Sequence, residues 1–422
     1  MEDTSPPRVD EPADIGSLFN PFDPAQLEDP YPVYALARRH TPVFYSERLG
    51  VWVVTRHADL CTVLRDPAFS SAGSLEATTS FAPEVHAVLS EGYLTFTSLV
   101  QSDPPDHTRI RNAFNKALSP SRVAAMEPSI RKIANELIDG FVSEGEADLM
   151  SRFAYPLPGI VISDLLGIPR SDVAMLKPWS NDKQVLLAAN ETTARLVEAA
   201  RGYVSLQRYF LEHFEDRARE PKDDLITLLL PKEMGGNAPL SVQEAVCNAM
   251  DLLAAGHETT SDLIGNGLVL FIEHPDQAAA VRADASLIPT AVDEILRADT
   301  PIRGMFRVAK TDYELGGATI PAGAKVFVLY GSGNRDEARF RDPDRFDIHR
   351  KDDGAHIAFG KGIHYCVGNA LARLEARVAF ELLLRRLPNV RYHPSLPAER
   401  RPYLILRGFE RLPLAWDVSD RA

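Results

Sequence analysis

The segment Phe359-Gly-Lys-Gly-Ile-His-Tyr-Cys-Val-Gly368 constrains the chain more than any other. It sets one thiol, Cys366, at the end of a glycine-rich loop, and residues 369–384 that follow read as a long helix. A sulfur at a helix N-terminus faces free backbone N–H groups and the positive end of the helix dipole. Both favour the thiolate, so a lowered thiol pKa is expected for Cys366. Gly360, Gly362 and Gly368 let the backbone bend sharply and approach a flat ligand closely. On these residues alone, a buried structural cysteine at a helix cap stays open.

The rest of the chain narrows the choice. Its 422 residues are 45% hydrophobic, enough apolar material for a sizeable core. Neither a linker nor an internal repeat divides it, so one domain over residues 21–422 is expected, preceded by a loose Pro/Asp/Glu-rich segment over 1–20. The acidic start lacks the apolar stretch of a signal peptide, and no run of apolar residues reaches membrane-spanning length. Cys61, Cys247 and Cys366 are odd in number and far apart, which suits a reducing cytoplasm and offers no disulfide framework. A net charge of −13 argues against nucleic acid as a partner.

Residues 42–46 and 51–55 read as a hairpin, followed by a helix from His57 to Leu64. Residues 70–98 read as loop with a short helix. From Pro105 to about Phe271 the pattern is helical. Ser241 and Glu244 form a capping box that opens a helix running to Glu273, where His274-Pro275 stops it. Two shorter helices follow, over 276–283 and 290–298. Short strands are expected at 306–309, 313–315, 318–320 and 325–330. The fold class is mainly α with small β-sheets.

Three motifs join the cysteine loop. Phe359-x-x-Gly-x-x-x-Cys366-x-Gly368 resembles the haem-binding loop of the cytochromes P-450 at every fixed position. Ala255-Gly-His-Glu-Thr-Thr260 resembles that family's oxygen-activation signature, and Glu294-Ile-Leu-Arg297 with Pro343-Asp-Arg-Phe346 resembles its Glu-x-x-Arg and Pro-x-Arg-Phe elements. The resemblance covers residues 20–417 in order and is weakest at 70–98 and 169–201, where such proteins place substrate-facing elements. It implies a triangular helical prism enclosing haem b between a long distal helix and the proximal cysteine loop. Cys366 is then the iron ligand, Thr259 the alcohol near O2 and Glu258 the acid that relays protons. His107, Arg111, Arg307 and His364 match propionate-binding positions, and Phe359, Gly360 and Gly368 frame the loop. Glu294, Arg297 and Arg345 are expected to form a buried structural network holding it.

The implied activity is a bacterial-type, cytoplasmic monooxygenase that inserts one atom of O2 into a small or medium, largely apolar substrate by hydroxylation or epoxidation. No flavin or iron–sulfur motif is visible, so a separate ferredoxin or flavodoxin is implied, and a monomer is expected. Oxidative coupling or desaturation, a peroxide-driven relative and a non-catalytic haem sensor remain alternatives. Arg109, Lys361, Arg373 and Arg377 are expected to form a basic docking face around Cys366. Asp251, Ala255, Ile302, Arg303 and Met305 are expected to wall the substrate pocket. A buried carboxylate at Asp251 needs a partner: Arg303, a polar or cationic substrate group, or a contact with another helix.

Overall fold

The computed structural model describes residues 14–75, 81–93, 98–188, 191–231, 239–351 and 355–418. The long helix Val242–Glu273 runs through its centre. The Ser241 hydroxyl accepts the N–H of Glu244, and the Glu244 carboxylate accepts that of Ser241, as the capping box predicts. From Ser261 to Phe271 every residue is buried, so this half is a core helix with no solvent face.

Small residues set how closely its neighbours approach. A side chain at Gly267 would meet the Phe380 ring at 2.3 Å. Glycine there lets the helix that follows the cysteine, Asn369–Arg386, pack with Phe380 edge-on to Phe271, their ring centroids 5.5 Å apart. Over the other half of the long helix lie Val173–Ala188 and Thr193–Arg219, which share a second apolar cluster with it.

A five-stranded sheet flanks the helices, in the order Val43–Ser46, Val51–Val54, Lys325–Val328, Met305–Ala309, Phe69–Ser70. The first pair is the expected hairpin, with Val43 opposite Val54. Val51–Val54 then runs parallel to Lys325–Val328, which pairs antiparallel with Met305–Ala309. That last pairing carries Arg307 and Met305 to the edge of the central cavity.

Several boundaries differ from those read in the sequence. Residues 15–20, expected to be loose, are folded: Ile15–Leu18 is helical, and Ile15 and Phe19 are buried against Tyr34 and Phe44. Two apolar residues four apart outweigh the polar composition around them. Residues 1–13 lie outside the described residues, as do 76–80 and 94–97 of the irregular stretch, whose short helix is Pro83–Leu89. The strand expected over 325–330 stops at Val328, and Tyr330–Gly333 forms a helical turn. No described helix is long and apolar enough to cross a membrane.

Candidate active site

The cysteine loop is held by its own backbone. The Cys366 N–H donates to the Phe359 carbonyl at 2.9 Å, and the Gly360 N–H to that of Ile357 at 2.8 Å. Gly360 and Gly362 have φ of 70° and 73°, and a side chain at Gly362 would meet the Leu64 carbonyl at 2.5 Å. Gly368 caps the following helix, and the Asn369 amide donates to the Cys366 carbonyl at 2.7 Å. Cys366 is half-buried by surface area because it borders a cavity, yet it lies deep in the protein. That depth pushes its thiol pKa up, against the N–H groups of Gly368 and Asn369 and the charges of Arg111 and Arg373. The lowered pKa expected from the helix terminus is therefore overturned for the bare thiol: desolvation outweighs the dipole.

Above the sulfur is an apolar cavity of about 240 Å³. Its roof is the long helix, through Leu252, Ala255, Thr259 and Leu263, and Ile302 and Met305 wall one side. Phe359, Gly360 and Gly368 line the floor around Cys366. The Thr259 hydroxyl donates to the Ala255 carbonyl at 2.7 Å, the back-bond that a threonine inside a helix commonly makes.

Four cationic or N–H-bearing side chains gather at the cavity's edge. The rings of His107 and His364 lie 4.3 Å apart, centroid to centroid. The Nε2 atoms of both are buried without a partner among the described residues. Arg111 and Arg307 bear on both rings, and burial together with these cations pushes His364 down to about 3. Such a cluster calls for an anion.

Behind the loop, Glu294 and Arg297 form a buried bidentate pair at 2.7 and 2.8 Å. The expected third member is corrected. Arg345 is exposed and offers only its carbonyl, to Arg297 at 3.1 Å. Arg350 completes the network, its Nε 3.1 and 3.3 Å from the two Glu294 oxygens, and it also donates to the carbonyls of Arg341, Asp342 and Arg345. Arg345 follows the turn that puts Phe346 into the core, so its own side chain faces out.

Arg303 is also corrected. It is absent from the cavity wall; it lies just before the strand Met305–Ala309, buried, and donates to the Pro21 carbonyl at 3.2 Å. Asp251 does line the cavity and takes the helix contact: one oxygen is paired with Lys183 on Val173–Ala188, and the other has no partner among the described residues. Lys183 was missed because it lies where the sequence carries no motif. Glu375 was missed too. It is a fully buried carboxyl on the cysteine helix, lining the cavity, and burial raises its pKa well above the usual range. The available signal was a glutamate on the stripe of Leu371, Leu374 and Val378.

Residues 163–393 match the family model described as cytochrome P450. The chain is similar to cytochrome P450 107B1 of Saccharopolyspora erythraea, 37% identical over 93% of this chain and 96% of that one. It is 36% identical to the 6-deoxyerythronolide B hydroxylase of the same organism, over 92% and 96%. Among solved structures it resembles cytochrome P450 CREJ in complex with (4-ethylphenyl) dihydrogen phosphate, with 33% identity, a TM-score of 0.89 and coverage of 94% and 99%. The chain belongs to the cytochrome P450 family.

Cytochromes P450 are haem b monooxygenases that consume O2, and the residues here fit that group. Cys366 would bind its iron. The His107 and His364 nitrogens, unpartnered among the described residues, would with Arg111 and Arg307 supply the donors and charge its two propionates require. Three of the four residues expected to form a basic docking face around Cys366 carry acidic partners. Arg109 is paired with Glu244 and Asp106, Arg373 with Asp293, and Arg377 with Glu127, while Lys361 is half-buried. Ile363, 52% exposed, is instead the conspicuous feature of the loop's outer surface.

Proposed function

We propose that this P450 hydroxylates or epoxidises a small or medium, largely apolar substrate in the cytoplasm, with electrons from a separate ferredoxin or flavodoxin. The observation that carries this reading is the apolar cavity between Thr259 and Cys366. Haem, when bound, supplies the activation of O2. Cys366 would hold its iron, and His107, Arg111, Arg307 and His364 would hold its propionates. Thr259, its hydroxyl on the cavity face, orients a proton donor, and Glu258, one residue earlier, stores the proton. Burial raises Glu258 to about 7, so near neutral pH it is poised to give and regain a proton. Ala255, Leu252, Ile302 and Met305 exclude water from the reacting centre.

Asp251, paired with Lys183 behind it, adds a carboxylate to this wall beside Asn248. Because Lys183 neutralises the carboxylate, the pair favours the polar over the cationic of the two substrate groups expected at Asp251, a hydroxyl or amide. The test is a screen of the purified, haem-loaded protein for ligands that shift the Soret band to high spin, followed by turnover with surrogate ferredoxin and reductase. Oxygenated product sustains the proposal. NADH oxidation that yields only peroxide with every spin-shifting ligand counts against it.

A further inference from the structure

Arg303 is among the largest side chains that the fold buries completely, 2% exposed. Its backbone is fixed on both sides: its N–H donates to the Ile405 carbonyl at 2.7 Å, and its carbonyl accepts the Gly331 N–H at 3.0 Å. On the guanidinium, Nη1 donates to the Pro21 carbonyl at 3.2 Å. Nε and Nη2 are buried without a partner among the described residues. Burial pushes its pKa down, yet a guanidinium keeps its proton at any pH a folded protein meets. A buried charge with no counter-charge is strongly penalised, so the fold requires one here.

The acids nearby are already taken. Asp299 bears on Arg303, but it accepts the Tyr31 hydroxyl at 2.7 Å and pairs with Arg407. Arg400 stands 3.8 Å from the other Asp299 oxygen and 3.4 Å from Glu28, which is largely exposed. Arg407 is spent on Asp299 and on the carbonyls of Leu27 and Glu28, at 2.6 and 2.9 Å. Arg401 is claimed by Asp262. Arg303, Arg400 and Arg407 thus have two carboxylates between them, and the charge left over is that of Arg303. The charges of Arg303 and Arg407 reach the buried Tyr34 hydroxyl, whose ring stands edge-on to that of Tyr31, centroids 5.9 Å apart. A Cβ at Gly331 would meet only the Tyr34 ring at 3.5 Å and the Arg303 carbonyl at 3.9 Å, so glycine keeps open ground beside them.

We infer that Arg303 holds a small monovalent anion of the halide class, chloride in ordinary salt, bound by Nε and Nη2 and met by the Tyr34 hydroxyl. Water would satisfy the donors and leave the charge unanswered. A phosphate-like oxyanion carries more acceptors than these three donors can meet. The ion belongs behind the substrate wall rather than in it. Ile302 and Met305 flank Arg303 in sequence and line the cavity, whereas Arg303 turns to Pro21 and the helix Tyr31–His40. Its role is structural: it joins the front of the folded chain to the strand that carries Met305 and Arg307.

The experiment compares the haem-loaded protein in sodium chloride and in sodium gluconate, whose anion is too bulky to enter, at equal ionic strength. For a Kd of about 1 mM, 100 mM chloride should raise the midpoint of thermal unfolding by about 3 °C over gluconate. Arg303→Met should unfold at the same temperature in both salts. Equal midpoints for the unmodified protein overturn the inference. So does a chloride effect that persists in Arg303→Met, which puts the ion elsewhere. If Arg303→Met does not fold, crystals of the unmodified protein soaked in sodium bromide decide. An anomalous peak beside Nε and Nη2 sustains the anion, and water density without such a peak overturns it.

Discussion

Replacing Arg350, Arg297 and Arg345 in turn by methionine separates the network seen in the structure from the one read in the sequence. Arg297→Met removes both bonds to Glu294 and those to the carbonyls of Asn334, Pro343 and Arg345. Breaking a buried ion pair from one side costs about 3–5 kcal/mol, because the remaining charge keeps its desolvation penalty. Arg350→Met leaves Glu294 still bonded to Arg297 and to the Asp347 N–H at 2.8 Å. What it loses is a weaker contact to Glu294 and three bonds to carbonyls at the loop's rim, so a cost of about 2 kcal/mol is expected, below that for Arg297. Arg345→Met removes an exposed side chain and should fall within about 0.5 kcal/mol of the unmodified protein. Urea unfolding followed by circular dichroism, with haem content per chain read in parallel, ranks the three. Equal losses for Arg345→Met and Arg350→Met would refute the assignment of Arg350 and return the motif arginine to the network.

Cys366→His should retain a haem site but lose the thiolate-type absorption of the ferrous–CO complex, read directly from the spectrum. Thr259→Ala should keep consuming NADH while more of it ends as peroxide, measured as product and peroxide per NADH. Glu258→Gln should stabilise the protein at high pH: a folded-state rise from 4.5 to about 7, at about 1.4 kcal/mol per pH unit, is about 3 kcal/mol. The sign follows because the folded protein binds the proton more tightly, so the penalty is absent below pH 4.5, grows as pH rises to about 7 and is complete above it. Unfolding curves at pH 5 and 8 that differ equally from the unmodified protein would contradict this. Asp251→Asn should weaken the binding of hydroxyl-bearing ligands in the spin-state titration more than that of hydrocarbons.

Residues acting through a local pattern were legible in the sequence. The capping box fixed the start of the long helix, proline its end, and two short β-rich runs around a turn the hairpin, because each depends on neighbours a few positions away. Cys366, Thr259 and the His107–Arg111 pair were legible for a further reason: their spacing within one motif is part of the chemistry. What was not legible depends on which distant segment arrives. Arg350 and Arg345 are both arginines after the same proline, and only the direction of the turn decides which meets Glu294. Arg303 lies two residues before the strand Met305–Ala309, where residues two apart would share a face, so strand alternation does not foretell that Arg303 meets Pro21 while Met305 lines the cavity. The partners of Asp251 and Asp262, Lys183 and Arg401, lie 68 and 139 residues away and belong to no motif.

The contacts that would grip the cofactor are spread widely along the chain. His107 and Arg111 come from its first third, Arg307 and Cys366 from its last. During synthesis the front wall of the site can therefore form long before the sulfur leaves the ribosome, and until then it presents clustered positive charge with nothing to answer it. Closing a loop of this span costs entropy that local helix formation cannot recover. Cofactor capture is thus a late event that reports on the whole chain at once. A nascent or nicked chain lacking its final stretch would lack the Cys366 thiol, so haem colour in a purified sample is expected to mark a completed chain.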